Sequence, residues 1–398
     1  MPIWIRYMIF ILIAAVILLG MHWVIYRQWR IALNVPPSAV WLRVVVLASA
    51  MWYIGSVAIG RSYPNFVTEI IFTGATVWLG FSVYFFLFGF AHEVVTGVAW
   101  LTKLHKPLHL EFSQLQRYIA QGSIAVAILI SFWGIVVAHG KFTIRQVEHY
   151  IPNLDPALDG FKIVMVSDIH IGAIHREGFM QKVAAGINAR KPDLVLIPGD
   201  VADGDRYRLS EKVAPLLQLK TKHGVYWSTG NHEYYTGAGT VVDAMERAGV
   251  PALLNRAVYV ADRKLIIAGV NDPTDRQMGG EGMRLDKALA GVDTALPIIL
   301  LSHQPLRFKE AFAAGVDVML SGHTHGGQTW PFNYIVNRIW PVPRGIYRQD
   351  NSMLYVSVGI GTWGPPMRLG QPPEIVEIVL RPGQTKEYLP GRNTVATK

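Results

Sequence analysis

The sequence predicts two joined architectures: an N-terminal all-α transmembrane domain of about four helices, then a C-terminal α/β domain of layered sheets flanked by helices. Three observations predict them. Residues 1–150 carry four long, almost uncharged apolar stretches. From Tyr150 onward, short β-rich apolar runs alternate with helical segments. Charge is also divided unequally: residues 1–150 hold 10 Lys and Arg against 4 Asp and Glu, a net of +6, while the remainder nets only +3. Most of the overall +9 therefore flanks apolar segments instead of forming a basic stripe, so no nucleic-acid partner is expected. With 51% hydrophobic residues and no cysteine, a disordered chain, a disulfide scaffold, thiolate metal sites and Cys nucleophiles are excluded.

A helix needs about 20 mostly apolar residues to cross a bilayer. The first stretch, residues 4–25, is followed by Arg27 and Arg30. Its apolar core exceeds the about 7–15 residues of a signal peptide, and no small-x-small site precedes Arg27, so it is read as a span. The second, 40–60, lies between Arg43 and Arg61; the third, 66–90, has an amphipathic extension to Lys103; the fourth, 119–139, lies between Arg117 and Lys141. Several tryptophans, Trp4, Trp23 and Trp41 among them, fall near predicted ends, as an interfacial belt requires. Glu69 and Glu93 sit near the ends of the third span, where solvation at the interface is the expectation.

Four spans place Arg27, Arg30, Arg43, Lys103, Lys106 and Arg117 on one face, and Arg6, Arg61, Lys141 and Arg145 on the other. The positive-inside rule makes the first face cytoplasmic. The expectation is an integral protein of the inner or plasma membrane with its C-terminal domain outside the cytoplasm. The boundaries read as a membrane domain over 1–142, a connector over 143–160, the α/β domain over 161–385 and a tail over 386–398.

In the C-terminal part, buried strands are expected at 162–166, 194–197, 225–228, 298–301 and 316–320, with helices at 178–189 and 241–248. Each strand runs into a loop bearing Asp, His or Asn, and ligand sites in open α/β sheets gather at such carboxyl ends. The collected side chains are Asp168, His170, Asp200, Asn231, His232, His303, His323 and His325. Singly, each has an ordinary structural explanation; their order and common placement do not. Imidazoles with carboxylates and one amide carbonyl suit Mn, Fe or Zn, whereas Mg prefers an all-oxygen shell.

The blocks Asp168-Ile169-His170, Gly199-Asp200, Gly230-Asn231-His232-Glu233, His303 and Gly322-His323-Thr324-His325 resemble the calcineurin-like metallophosphoesterase superfamily, in its membrane-anchored branch. The resemblance implies one metal on Asp168, His170 and His325, a second on Asn231, His303 and His323, and Asp200 bridging them. It implies His232 as proton donor, and two divalent cations, Mn first, that share a hydroxide nucleophile for phosphoester or pyrophosphate hydrolysis. Competing motifs fail. Gly359-Ile360-Gly361-Thr362-Trp363-Gly364 fits G-x-G-x-x-G, but Pro365 and Pro366 block the helix a dinucleotide needs, so it reads as a loop near the metal site. His232-Glu233 lacks the second His of H-E-x-x-H.

After the last block, residues 330–348 are rich in Pro, aromatics and Arg. Ile335, Val336, Ile339 and Trp340 beside Arg338, Arg344 and Arg348 would suit a lipid phosphate, with Arg344 and Arg348 as substrate contacts and membrane lipids as partners. The plain alternative is a packed loop with solvated arginines. The expected function is hydrolysis of a phosphorylated lipid or envelope precursor; the alternatives are an anchored phosphodiesterase for a soluble substrate and a non-enzymatic membrane scaffold.

Overall fold

The computed structural model describes residues 3–103, 111–204 and 206–383. The tail at 386–398 and Lys106 lie outside the described residues. Two compact units are present: residues up to Val136 together with Gly364–Met367, and the rest from Val137.

The first unit is helical: α1 (Ile3–Ala32), α2 (Val40–Ser62), α3 (Phe66–Leu101) and α4 (Phe112–His139). All four are long and apolar enough to cross a membrane. Their packing inverts that of a soluble bundle. Leu12, Val16, Leu129 and Phe132 face outward, whereas Ala75, Thr76, Ser82, Ala120, Ala127 and Ser131 are buried between helices. Small residues at the seams let helix backbones approach where lipid gives no hydrophobic drive. Asn65 caps α3 by accepting from the Val67 and Thr68 amides. The two glutamates depart from the solvated expectation. Glu69 is buried in the first turn of α3, and Glu93 accepts from Arg27 Nη2 at 3.0 Å.

The second unit interleaves two sheets with helices: β1 (Thr143–Ile151), β2 (Lys162–Met165), α5 (Glu177–Asn188), β3 (Leu194–Pro198), α6 (Leu209–Val213), β4 (Val225–Ser228), α7 (Asn231–Thr236) and α8 (Ala238–Arg247). Then come β5 (Arg256–Val260), β6 (Leu265–Gly269), α9 (Thr274–Gln277), α10 (Leu285–Ala288), β7 (Ile298–Leu301), α11 (Phe308–Ala313), β8 (Val318–Ser321), α12 (Phe332–Ile339), β9 (Gly345–Gln349), β10 (Ser352–Val356) and β11 (Glu374–Pro382). One sheet has the order β1-β11-β2-β3-β4, the other β5-β6-β7-β8-β10-β9.

The strand sequences explain the layers, because successive side chains point to opposite faces. Ile163 and Met165 of β2, and Leu194 and Leu196 of β3, enter the core between the sheets; Ile299, Leu301, Val318 and Leu320 meet them from the other sheet. The alternate residues Val164, Val195 and Ile197 pack under α5 and α8. Ile298, Leu300 and Met319 pack on the far side with Phe308 of α11. Strands covered on both faces read as continuous apolar runs, and these do.

Residues 143–151, expected as connector, form β1 instead. They lie parallel to β11 from Thr143↔Glu374 to Ile151↔Pro382. As an edge strand β1 keeps Arg145, Gln146 and Glu148 among its apolar residues, which masked it in sequence.

Ile378 of β11 pairs with Val147 on one side and Ile163 on the other, fully buried between the sheets. Ile378→Ala is expected to destabilise the catalytic unit by about 2–5 kcal/mol. Leu217→Ala, on the surface, is expected to change stability by about 0.5 kcal/mol or less. Denaturant or thermal unfolding of the purified chain reads both, and equal losses would contradict the layer assignment.

Candidate metal centre

β2, β3, β4, β7 and β8 deliver their following loops to one place. The ligand atoms fall into two groups. His170 Nε2 and His325 Nε2 are 3.0 Å apart, with Asp168 Oδ1 3.4 Å from His325 Nε2. In the other group, His303 Nε2 is 3.3 Å from His323 Nδ1, which is 2.8 Å from Asn231 Oδ1. Asp200 Oδ2 joins them, 3.0 Å from His303 Nε2 and 3.8 Å from His170 Nε2. All seven residues expected as ligands are thus brought together, as is His232.

The backbone is held unusually to do this. Asp168, His170, Asp200, His323 and His325 all have φ between 49° and 72°. Non-glycine residues avoid this left-handed region, at a cost of order 1–3 kcal/mol each, and such strain collects at functional sites. Close approach also requires glycine at two block positions. A Cβ at Gly322 would stand 2.2 Å from Asp168 Oδ2, and one at Gly230 would stand 2.2 Å from Asp200 Oδ1.

The blocks are stitched to one another by main-chain donors. The His323 amide donates to Asp168 Oδ1, and the His232 amide to Asp200 Oδ1, each at 2.9 Å. That leaves Asp200 Oδ2 for the shared position. His303 Nδ1 donates to the Pro198 carbonyl at 2.9 Å, which fixes Nε2 as the ligand nitrogen.

The donor set fits divalent cations. Burial pushes His170 down to about 4 and His323 to about 3, and holds His325 well below the usual imidazole range. These rings are therefore neutral, the form that binds metal. Asp168 Oδ2 and His170 Nδ1 are buried without a hydrogen-bond partner. His303 behaves differently: burial opposes its charge, but the Asp200 carboxylate outweighs it and holds the ring protonated. A cation would take the place of that proton.

His232 stands in reach of His170 and Asp200 and could by position complete a ligand group. Its Nδ1, however, lies 2.7 Å from Asp203 Oδ1. Burial opposes the charged ring, yet Asp200 and Asp203 raise it to about 9.

Sequence reasoning missed three supporting residues. Asp203 follows Asp200 by three positions, and that spacing was a visible signal. Glu233 is buried and accepts four backbone amides, from Asp200, Val201, Ala202 and Gly230. One carboxylate thereby locks the loop after β3 to the start of α7. Arg368 is fully buried, its guanidinium donating to the carbonyls of Val358, Gly359, Gly361 and Gln371. It shapes the glycine loop whose Ile360 and Gly361 amides donate to Ser167 and Asp168. That loop lies beside the metal residues, as its turn-rich sequence suggested.

The two arginines expected as substrate contacts separate. Arg344 packs against the metal loop, where a Cβ at Gly326 would meet its Cδ at 3.3 Å, and its Nη1 is buried without a partner. Arg348 lies four residues on in β9, toward the opposite strand ends. It donates to His149 Nδ1 and to the Glu148 carbonyl of β1, both at 3.0 Å. The structure does not bring Arg348 to the site.

Comparison with known proteins places the chain in a family. The calcineurin-like phosphoesterase family model matches residues 161–327. A transmembrane protein with metallophosphoesterase domain from Danio rerio is 31% identical over 366 residues, covering 87% of this chain and 81% of that protein. An uncharacterized metallophosphoesterase from Helicobacter pylori is 28% identical over 380 residues, covering 93% of this chain and 99% of that one. Among solved structures, a dimetal phosphatase from Danio rerio aligns at 12% identity and a TM-score of 0.34, covering 50% of this chain and 88% of that one. Likeness to the first relative over most of both chains includes the helical unit as well as the sheets. The chain belongs to the calcineurin-like metallophosphoesterase family, as a membrane protein whose C-terminal domain is a metal-dependent phosphoesterase.

Proposed function

We propose that this chain is a dinuclear phosphoesterase that hydrolyses a phosphate-ester or pyrophosphate bond of a lipid or envelope precursor at a membrane. One observation carries the dinuclear part: Asp200 Oδ2 lies within 3.8 Å of ring nitrogens from both ligand groups. Asp168, His170 and His325 would hold one cation, Asn231, His303 and His323 the other, with Asp200 shared. Mn, Zn and Fe all suit a shell of imidazoles with carboxylate and amide oxygens, and Mn is the one the family resemblance puts first. Bound there, two cations supply a water nucleophile at neutral pH and polarise the phosphoryl oxygens.

The protein's own groups do the rest. His232 is oriented by Asp203, whose carboxylate favours the charged ring, so it can protonate the departing alkoxide. Arg344 offers a buried, unpaired N–H beside the metal loop, suited to a non-bridging phosphate oxygen. The lipid assignment draws on the four apolar helices and on the apolar, Arg-bearing segment 330–348. Six basic residues against four beside the spans favour a catalytic domain outside the cytoplasm.

Asp200→Asn should abolish turnover and most metal binding. His232→Ala should keep its metals while losing roughly 10²–10⁴-fold in rate. Elemental analysis with an aryl phosphodiester assay separates them; metal loss in the His232 variant would make it a ligand. Absence of turnover in fully metal-loaded wild type would favour a scaffold.

Arg344→Glu should impair hydrolysis of an anionic lipid phosphate more than that of a small aryl phosphate, by a contact of about 1.5–3 kcal/mol. Equal impairment, or preference for nucleotides over envelope lipids, would instead support a soluble substrate.

A periplasm-active reporter fused after Lys398 should work, and a cytoplasm-active one should be silent. The reverse pattern would put the site inside the cell.

A further inference from the structure

The segment after the last ligand block contains a helix that rests on the metal loop yet buries none of its residues. All eight residues of α12 escape burial. Phe332, Ile335 and Ile339 recur at the three- and four-residue spacing of one helix face, and Ile335 and Ile339 are 53% and 66% exposed. Tyr334 flanks that stripe, while Trp330 and Trp363 are exposed on neighbouring loops. A soluble domain rarely leaves such residues contiguous and bare, and a patch of this kind marks an interaction surface.

The patch borders the metal centre. Trp363 lies 6.2 Å, ring to ring, from His232, and Trp340, which ends α12, lies 5.0 Å from His323. Residues 330–340 contain no Asp or Glu. Among these, Arg338 is exposed on α12 itself. Aromatic side chains, an aliphatic stripe and an exposed arginine match the headgroup–acyl boundary of an anionic bilayer. The same chain carries four membrane-spanning helices, so such a surface is always near.

We infer that α12 is an interfacial helix, which lays its Phe332–Ile335–Ile339 face into the lipid headgroup boundary and so holds the mouth of the metal centre at the bilayer surface. This goes beyond the substrate assignment and adds observations which that assignment did not use: the exposure and periodicity of α12 and the tryptophans beside His232 and His323. A soluble substrate could still be hydrolysed by a domain docked in this way.

The chain has no cysteine, so single reporters can be placed without removing any. Full-length Ile335→Cys, Ile339→Cys and, as an exposed control elsewhere on the domain, Leu217→Cys would be labelled with an environment-sensitive fluorophore. Each would be reconstituted in nanodiscs of phosphatidylcholine and phosphatidylglycerol in equal parts. Spin-labelled lipid should quench the probes at 335 and 339 several-fold more than the probe at 217, and aqueous iodide should show the reverse order. Equal iodide quenching at all three positions, with none by lipid, would overturn the proposal. So would shielding of 335 and 339 from both quenchers, which would mean that protein covers the helix. The readout requires no turnover. Lipid quenching without hydrolysis of any lipid phosphate would leave the docking surface standing and remove the lipid-substrate assignment alone.

Discussion

The catalytic unit is organised around a single buried anion, the carboxylate of Asp200. Removing an unpaired carboxylate from water costs several kcal/mol even after relaxation, so every neighbour must answer for it. Its Oδ1 takes the His232 amide, and its Oδ2 faces His303 and His170. Its own amide donates to Glu233, itself a buried carboxylate with four main-chain donors. The loops after β3, β4, β7 and β2 are therefore tied together by one charge and its satisfaction, and the two candidate cation positions follow from where its free oxygen points.

Such a centre asks more of the backbone than of side-chain packing. Five candidate ligand residues occupy left-handed φ, and Gly230 and Gly322 admit the carboxylates of Asp200 and Asp168 to contact distance. The surrounding layers supply rigidity: β2, β3, β7 and β8 are buried on both faces, so the loop bases cannot drift. Arg368 does the same for the glycine loop, its charge dispersed over four carbonyls. Burial lowers it to about 10, still protonated at neutral pH.

Much of this was legible from residue order because two signals coincide. Strands covered on both faces are continuous apolar runs, and their ends carry the chemistry, so β2, β3, β4, β7 and β8 could be placed together with the seven candidate ligands that the structure gathers. The four long helices were legible because lipid demands length and apolarity, which composition records directly. What escaped depends on partners distant in sequence. β1 alternates polar and apolar residues and becomes a strand only by pairing with β11, more than two hundred residues away. Nothing in the sequence around Arg368 announces a fully buried guanidinium. Arg344 and Arg348 look equivalent in sequence, yet β9 carries them toward opposite ends of the sheet. Glu69 and Glu93 were expected in solvent because helix contacts that bury or pair them are invisible one span at a time.

The alternation along the central strands makes register and reactivity one variable. On β2, Ile163 and Met165 belong to the core between the sheets and Val164 to the core under α5. A slip of one residue would exchange those two sets and turn every side chain to the opposite face. Asp168, three residues beyond the strand, would be displaced with it, and the same holds for Asp200 after β3 and His323 after β8. A misthreaded strand would thus carry its candidate ligands away from those on its neighbours. Affinity for divalent cation thereby becomes an assay of native strand pairing.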